Sequence, residues 1–380
     1  MQARAITEFS EIDAAAWETL DHEDNPFLSY VFLHGLEESG SIGLHAGWRP
    51  HHLLIEDEQG LAAFAPTYAK ENSHGEFVFD WAWADAYQRN GVAYYPKLLT
   101  GVPYTPVTGP RLLVRRGHPQ AAALKRALAD FAVSCCRREG FSTWHCNFVT
   151  EVDFAVLQDE AFLRRRDWQF HWRNDGYADF DAFLDRLKSR KRKNIRRERD
   201  RINKAGFRFE WKPGGSLTEQ DLEFVYRCYI DTFRNYGNYP ALRFEFFCRI
   251  ARELDERFQV VFATHEDEAV AMAVFLAGGG RLYGRYWGCT KEFPGLHFET
   301  AYYQGIEFCL RHGIEVFESG AQGEHKIPRG FLPVRTRSCH HVEHPAFREA
   351  IARHLEQEKA WIDAYREQLD AADPYRRDGA

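Results

Sequence analysis

Two stretches of this chain hold the residue types that chemistry needs. The first is Arg-Leu-Lys-Ser-Arg-Lys-Arg-Lys-Asn-Ile-Arg-Arg-Glu-Arg-Asp-Arg, residues 186–201, with ten basic and two acidic side chains. It concentrates a charge of +8 in a protein whose formal net charge is −7, so the other residues sum to −15. A positive element on an acidic body is suited to an anion: a phosphate chain, an RNA backbone or a polyanionic substrate. At 100° per residue, Arg190, Lys193, Arg197 and Arg201 share one helical face, and Leu184, Leu187, Ile195 and Ile202 share another. The plain alternative is a solvated amphipathic helix. Like charges at i, i+4 destabilise a helix by about 0.2–0.5 kcal/mol per pair, which an isolated protein has no reason to accept. That weighs toward anion binding. Arginine offers phosphate a planar fork and lysine a point charge, and Lys191, Arg192, Arg196 and Arg197 are the candidates to hold a phosphate-rich donor.

The second stretch is Glu-Ser-Gly-Ala-Gln-Gly-Glu-His-Lys-Ile-Pro-Arg-Gly, residues 318–330. Gly320, Gly323 and Gly330 permit close backbone approach to a ligand. Between them stand a carboxylate (Glu324), an imidazole (His325) and two cations (Lys326, Arg329). Aminolysis of an activated acyl group needs a free amine, a base for its proton and donors for the tetrahedral oxyanion. Glu324 and His325 are candidate bases, with Glu318 a third catalytic candidate. Lys326 and Arg329 would hold an anion beside them. The alternative is a structural turn whose Glu and Lys pair on the surface. The sequence holds no convincing Ser-His-Asp or Cys-His set. Both stretches are expected to converge on one cleft.

Other segments suggest the substrate walls. Gly295-Leu-His-Phe-Glu opens a helix, where free N–H groups favour anions. His297 reads as a ligand-facing or a turn residue, and Glu299 as a substrate-side or a capping carboxylate. Strict alternation in Tyr283-Gly-Arg-Tyr-Trp puts Tyr283, Arg285 and Trp287 on one face, either an acceptor wall or a packing face, and Tyr286 on the other. Glu76, Asp80, Tyr95 and Lys97 lie among aromatics as a possible acceptor site. Phe77, Phe79 and Trp83 read as core. Cys339-His-His-Val-Glu-His fits no zinc spacing, and no metal is expected.

The elements that must position these residues follow from periodicity. Helical spacing covers Phe9–Leu20, Tyr30–Glu38, Ala121–Glu139, a long Phe180–Asn203, Thr218–Tyr236, Arg243–Asp255, Phe298–His312 and a helix opening at Pro345. Strands are expected at His52–Glu56, Gly60–Tyr68, Phe77–Trp81, Trp144–Val149, Phe258–Thr264, Ala269–Ala277, Arg281–Cys289 and Glu315–Glu318. Helices, an antiparallel meander, a helix and a strand thus occur twice. The expected domains are 1–165, 166–345 with the basic helix, and a C-terminal helix in 346–380. At 380 residues, 44% hydrophobic and 15% aromatic, the chain can build such cores. No window is apolar enough to span a bilayer, the opening residues lack a secretory pattern, and the eight cysteines show no C-x-x-C. Reduced thiols and a cytoplasmic protein are expected.

The segments Ser189–Ile202, Leu282–Cys289, Gly295–Phe308 and Glu318–Phe331, with Gly47–Leu53, Ser73–Tyr87 and Tyr94–Gly109, resemble the FemAB-like family, N-acyltransferases labelled for peptidoglycan biosynthesis or recognition. The resemblance implies an α/β (α+β) fold of tandem GNAT-like modules, with mixed, largely antiparallel sheets flanked by helices. It implies amide formation from an aminoacyl-tRNA or acyl-CoA co-substrate onto an amine-bearing small molecule or peptide. It implies no tightly bound cofactor, and tRNA as a partner of the basic helix. Two departures stand against this background. Neither Gly295-Leu-His-Phe-Glu nor Thr108-Gly-Pro-Arg matches the pyrophosphate loop of ordinary GNAT acetyltransferases. Gly206 also follows the basic helix too closely for the coiled-coil arm of Fem enzymes. The competing class is a non-catalytic protein that binds cell-wall precursor or RNA.

Overall fold

Pro66 divides the apolar run Gly60–Tyr68, because proline donates no hydrogen bond to a ladder. The computed structural model, which describes residues 1–320 and 323–376, places the two halves in different sheets. Gly60–Ala65 joins an antiparallel sheet in the order Gln2–Ile6, His52–Asp57, Gly60–Ala65, Leu113–Val114. Thr67–Lys70 pairs with Trp48–Pro50 on one side and Lys97–Thr100 on the other. Thr143–Cys146 then runs parallel to Lys97–Thr100, and Cys339–Val342 antiparallel to Thr143–Cys146. Helix Ala121–Glu139 buries Leu124, Leu128 and Ala132 against Leu53, Ala63, Leu98 and Trp144.

These elements belong to one of two compact units, Met1–Trp168 together with Arg335–Arg366. The other unit is Gln169–Val334 with the segment from Glu367 onward. The expected division at 165 and 345 differs from this on its second border. Residues 339–342 form a ladder with Thr143–Cys146, and Ile351 and Leu355 of the closing helix pack with Trp83, Tyr87 and Tyr94. That helix spans Pro345–Ala371, and residues 377–380 of the expected segment lie outside the described residues. His340 Nδ1 meets His145 Nδ1 at 2.9 Å inside this unit, while His341 bonds Glu343 at 2.8 Å, so the Cys-His-His run is spent on packing.

The strand expected at Phe77–Trp81 does not form. The segment is a loop whose alternation is inverted: Glu76 and Asp80 point inward, while Phe77, Phe79 and Trp81 are exposed. Only Trp83, on helix Trp81–Arg89, joins the core. The reason is a pair of buried lysines. Lys70 and Lys97 stand directly opposite each other on neighbouring strands, both fully buried. Like charges so placed repel. Lys97 Nζ therefore bonds Glu76 at 2.8 Å, Ser73 Oγ at 2.9 Å and Asp80. Lys70 lies 3.8 Å from Glu76 and stacks over Trp48 at 3.7 Å. Burial pushes the Glu76 carboxyl up and the Lys70 ammonium down, each to about 7. Burial opposes the charged forms of Asp80 and Lys97 as well, but their mutual attraction prevails and keeps both ionised.

The second unit is an antiparallel meander of Arg208–Pro213, Phe258–His265, Glu268–Gly278 and Arg281–Cys289. Val316–Glu318 adds parallel to Arg281–Tyr283, and His171–Arg173 antiparallel beyond it. Helices Glu219–Asn235 and Phe244–Leu254 cover one face through Tyr229 and Phe247, which pack on Tyr286. The helical run from Leu296 to His312 covers the other, with Phe308 on Trp211.

Lys97→Met should lower unfolding stability by about 3–5 kcal/mol, since it leaves two buried carboxylates without their cation. Urea denaturation with an unchanged m-value would measure it.

Candidate functional site

The basic segment folds as two helices, not one. Phe180–Arg186 ends where Leu187 turns extended, and Ser189–Lys204 begins afresh. The break is held from outside: Lys188 N–H donates to the Pro374 carbonyl, and Arg376 donates to the carbonyls of Arg186 and Leu187. Ile195 and Ile202 anchor the second helix in the core. Lys193, Arg196, Arg197, Arg201 and Lys204, with Asp200, line an open groove of about 450 Å³ on its outer side. Of the cations expected to bind a donor, Arg196 also reaches Asp181 at 3.0 Å and Arg192 approaches Asp185 at 3.5 Å. Arg197 bonds the Asn194 side chain at 3.2 Å, and Lys191 lies one turn before Ile195.

Two inward residues of this helix escaped the sequence reading. Arg199 grips the buried Glu299 with Nε at 3.1 Å and Nη2 at 3.0 Å, and reaches Glu307 at 2.7 Å. Glu198 accepts from Arg329 at 2.8 Å and from the Tyr303 hydroxyl. Both fall within three or four positions of Ile195 and Ile202, and that spacing was the available signal. Glu299 is thus neither a cap nor exposed to substrate. It lies in a π-helical turn, Glu299–Tyr303, between Leu296–Phe298 and Gln304–His312, and Gln304 supplies it a further bond at 3.0 Å. Such turns insert one residue and re-aim the side chains around them.

The glycine-spaced loop leaves the sheet where the parallel pairing stops, at Tyr283 opposite Glu318. Glu318 is buried, bonded to Arg281 at 2.7 Å and 3.7 Å from His171. Residues 324–329 form a short 3-10 turn. Glu324 and His325 are exposed, whereas Lys326 and Arg329 are buried. His325 Nε2 and the Tyr302 hydroxyl are 2.9 Å apart. Lys326 Nζ donates to the Gly320 carbonyl at 2.7 Å, and burial lowers its pKa to about 7. Arg329 donates to Tyr303 at 3.0 Å and to the His325 carbonyl at 2.6 Å, and lies 3.4 Å from the centre of the Phe298 ring. Three of its donor atoms are therefore engaged within the protein. A side chain on Gly323, which has φ +120°, would run into the His325 ring.

Strand Arg281–Cys289 carries a bulge that the alternation argument did not foresee. Val274 pairs with Tyr286 but its neighbour Phe275 pairs with Gly284, so Arg285 is the extra residue. The extra residue reverses the parity beyond it. Tyr286 turns to the helices at Tyr229, while Trp287 joins the opposite face and lies 4.8 Å from His297 between ring centres. Tyr283 and Trp287 consequently do not share a face. The Trp287 Nε1 is buried and has no hydrogen-bond partner. Burial and the nearby His325 hold His297 down to about 4, and burial also lowers His325 below its usual value. His297, Tyr302, Trp287, His325 and Lys326 thus belong to one neighbourhood. Glu76, Asp80 and Lys97 lie in the other unit and are locked together there, with Tyr95 bonded to Ser73 at 2.8 Å.

A family profile described as peptidoglycan biosynthesis/recognition, FemAB-like, matches residues 8–377. No curated protein matches the chain. Among solved structures, FemX is similar with a TM-score of 0.55 at 12% identity, covering 93% of this chain and 100% of that one. The C-terminal domain of a putative lysylphosphatidylglycerol synthetase from Agrobacterium fabrum gives 0.56 at 11% identity, covering 90% and 96%. The L-PGS from Bacillus licheniformis gives 0.50 at 12%, covering 84% and 94%. At these identities the likeness establishes the fold alone, a mixed α/β one. The chain belongs to the FemAB-like family of peptidoglycan biosynthesis and recognition.

Proposed function

We propose that the second unit transfers an aminoacyl group from aminoacyl-tRNA to an amine and forms an amide. The observation that carries this reading is the outer face of helix Ser189–Lys204. Its groove-lining cations run from Lys193 to Lys204, about 16 Å at 1.5 Å per residue. Coenzyme A presents a pyrophosphate as a compact pair of charges. Cations spread over that length suit a backbone with several phosphates. The same helix holds Arg329 through Glu198, and so leads directly to the loop that carries His325.

In this mechanism the acceptor's ammonium gives its proton to His325, whose pKa is held below its usual value by partial burial and by the nearby Lys326 and Arg329. With Nε2–H donated to the Tyr302 oxygen, Nδ1 is the accepting atom. The freed amine attacks the ester carbonyl, and the C–N bond forms. The tetrahedral oxyanion is stabilised by the Lys326 ammonium. The attacking nitrogen loses its second proton to solvent, the C–O bond to the ribose breaks, and the proton on His325 passes to the departing ribose oxygen. Glu324 is exposed beside this step and helps to draw in the cationic acceptor.

The reading is tested by incubating the full chain with charged tRNA or with acyl-CoA, together with amine acceptors, and finding amide product by mass spectrometry. Product from charged tRNA alone is expected. Product from acyl-CoA alone would replace the donor. Salt-dependent tRNA binding without product would mark a binding protein instead. His325→Ala should lower kcat on the order of 10²-fold or more at unchanged tRNA affinity.

Lys326 gives a pH dependence of its own. Raising pH through about 7 removes its proton, so kcat/KM should fall on the alkaline side as the oxyanion loses its cation. Lys326→Arg should abolish that alkaline fall, because a guanidinium stays charged there. An alkaline limb that survives in Lys326→Arg would remove Lys326 from this role.

A further inference from the structure

The first unit brings three metal-ligand side chains together at the end of helix Ala121–Glu139. Cys135 and Glu139 are spaced i, i+4 and so stand on one helical face. His51 comes from the residue immediately before strand His52–Asp57. One donor atom from each of the three lies within 4.8 Å of the other two. Cys135 is fully buried and His51 is 6% exposed, whereas Glu139 reaches solvent.

The arrangement is poorly explained as an ion pair. His51 Nε2 is buried without a hydrogen-bond partner, 3.5 Å from Glu139 Oε2. That separation exceeds the ordinary hydrogen-bond range. An unpartnered ring nitrogen beside a thiol and a carboxylate is a donor that a metal ion would take. Phe141 packs edge-on against the ring at 5.5 Å and fixes it.

We propose that His51, Cys135 and Glu139 bind a divalent cation of the zinc class. Sulfur, imidazole nitrogen and carboxylate oxygen together select a borderline-soft ion over magnesium or calcium. Bonds of about 2.0–2.3 Å put tetrahedral ligands roughly 3.5 Å apart. The His51–Glu139 separation of 3.5 Å already matches that spacing. Cys135 releases its proton to solvent on binding, and its thiolate with the Glu139 carboxylate neutralises the dication. Arg138, with Nη2 3.6 Å from Cys135 Sγ, then donates to the thiolate from outside. The negative end of the helix dipole adds to the attraction. Three protein ligands leave the fourth position to water. The ion would fasten the helix end to the start of the strand, independently of the transferase reading.

Cobalt(II) titration of the purified full chain tests the site. One equivalent is expected to produce a thiolate-to-cobalt charge-transfer absorption with the intense visible bands of four-coordination, and zinc should displace it and raise Tm. Cys135→Ser should abolish the charge-transfer absorption. His51→Ala and Glu139→Gln should each weaken binding at least tenfold, and Glu139→Gln sits at the surface where it leaves folding intact. Cys136→Ser, next in the chain, should bind as the parent does. The proposal is overturned if the parent shows no thiolate band, if the band persists in Cys135→Ser, or if Glu139→Gln binds unchanged.

Discussion

The guanidinium of Arg329 holds the candidate site together. It is buried, paired with Glu198, bonded to Tyr303 and to the His325 carbonyl, and seated on the Phe298 ring. One cation thus ties the basic helix, the π-helical turn and the glycine-spaced loop. A buried arginine is tolerated only when its fork is satisfied, and each partner here satisfies part of it. The position of His325 follows, because its own carbonyl is one of the acceptors. Arg199 repeats the arrangement one residue along the same helix, with Glu299 and Glu307 as its partners. The helix that gathers positive charge on its outer side is therefore fixed through charges on its inner side.

Much of this was legible in the sequence. Helix Ala121–Glu139, the meander from Phe258 to Cys289 and the helix closing at Gly313 follow from apolar spacing and from glycine at the end. The charge run and the glycine-spaced loop stood out by residue type, and Glu198 joins them through Arg329 as one neighbourhood. What was not legible has a common cause. Glu198 and Arg199 read as part of a charge run; their spacing from Ile195 and Ile202 turns them inward, but the partners they find there lie about a hundred residues away or more. Glu76 and Asp80 turn inward for Lys97, and two lysines acquire that meaning only when their strands pair. Long-range pairing decides these cases, and composition cannot report it.

The two units use buried charge differently. In the first, Lys97 pairs with Glu76 and Asp80 out of solvent, and their work is to hold a loop in place. In the second, the buried charges lie beside exposed ones. Lys326 is enclosed while His325, its neighbour, faces solvent. Adjacent residues of opposite exposure let one loop present an imidazole to solvent and keep a cation in a low-dielectric setting, where its field is strongest. The perturbation of Lys326 arises from burial alone, so an arriving negative charge would restore its proton.

Two insertions of a single residue account for the geometry of the site. The bulge at Arg285 shifts the parity of its strand, and the π-helical turn at Glu299–Tyr303 shifts the phase of its helix. Without the bulge, Trp287 would face the helices that Tyr286 now meets. Without the extra residue in the turn, Tyr302 would rotate by about 100° away from His325. Each irregularity weakens a ladder of backbone hydrogen bonds, and neither improves the packing of its own element. Both place an aromatic side chain against a histidine: Trp287 on His297, Tyr302 on His325. Irregular backbone on two adjacent elements, aimed at one pair of imidazoles, is the structural reason to look for the reaction there and not in the buried charge cluster of the first unit.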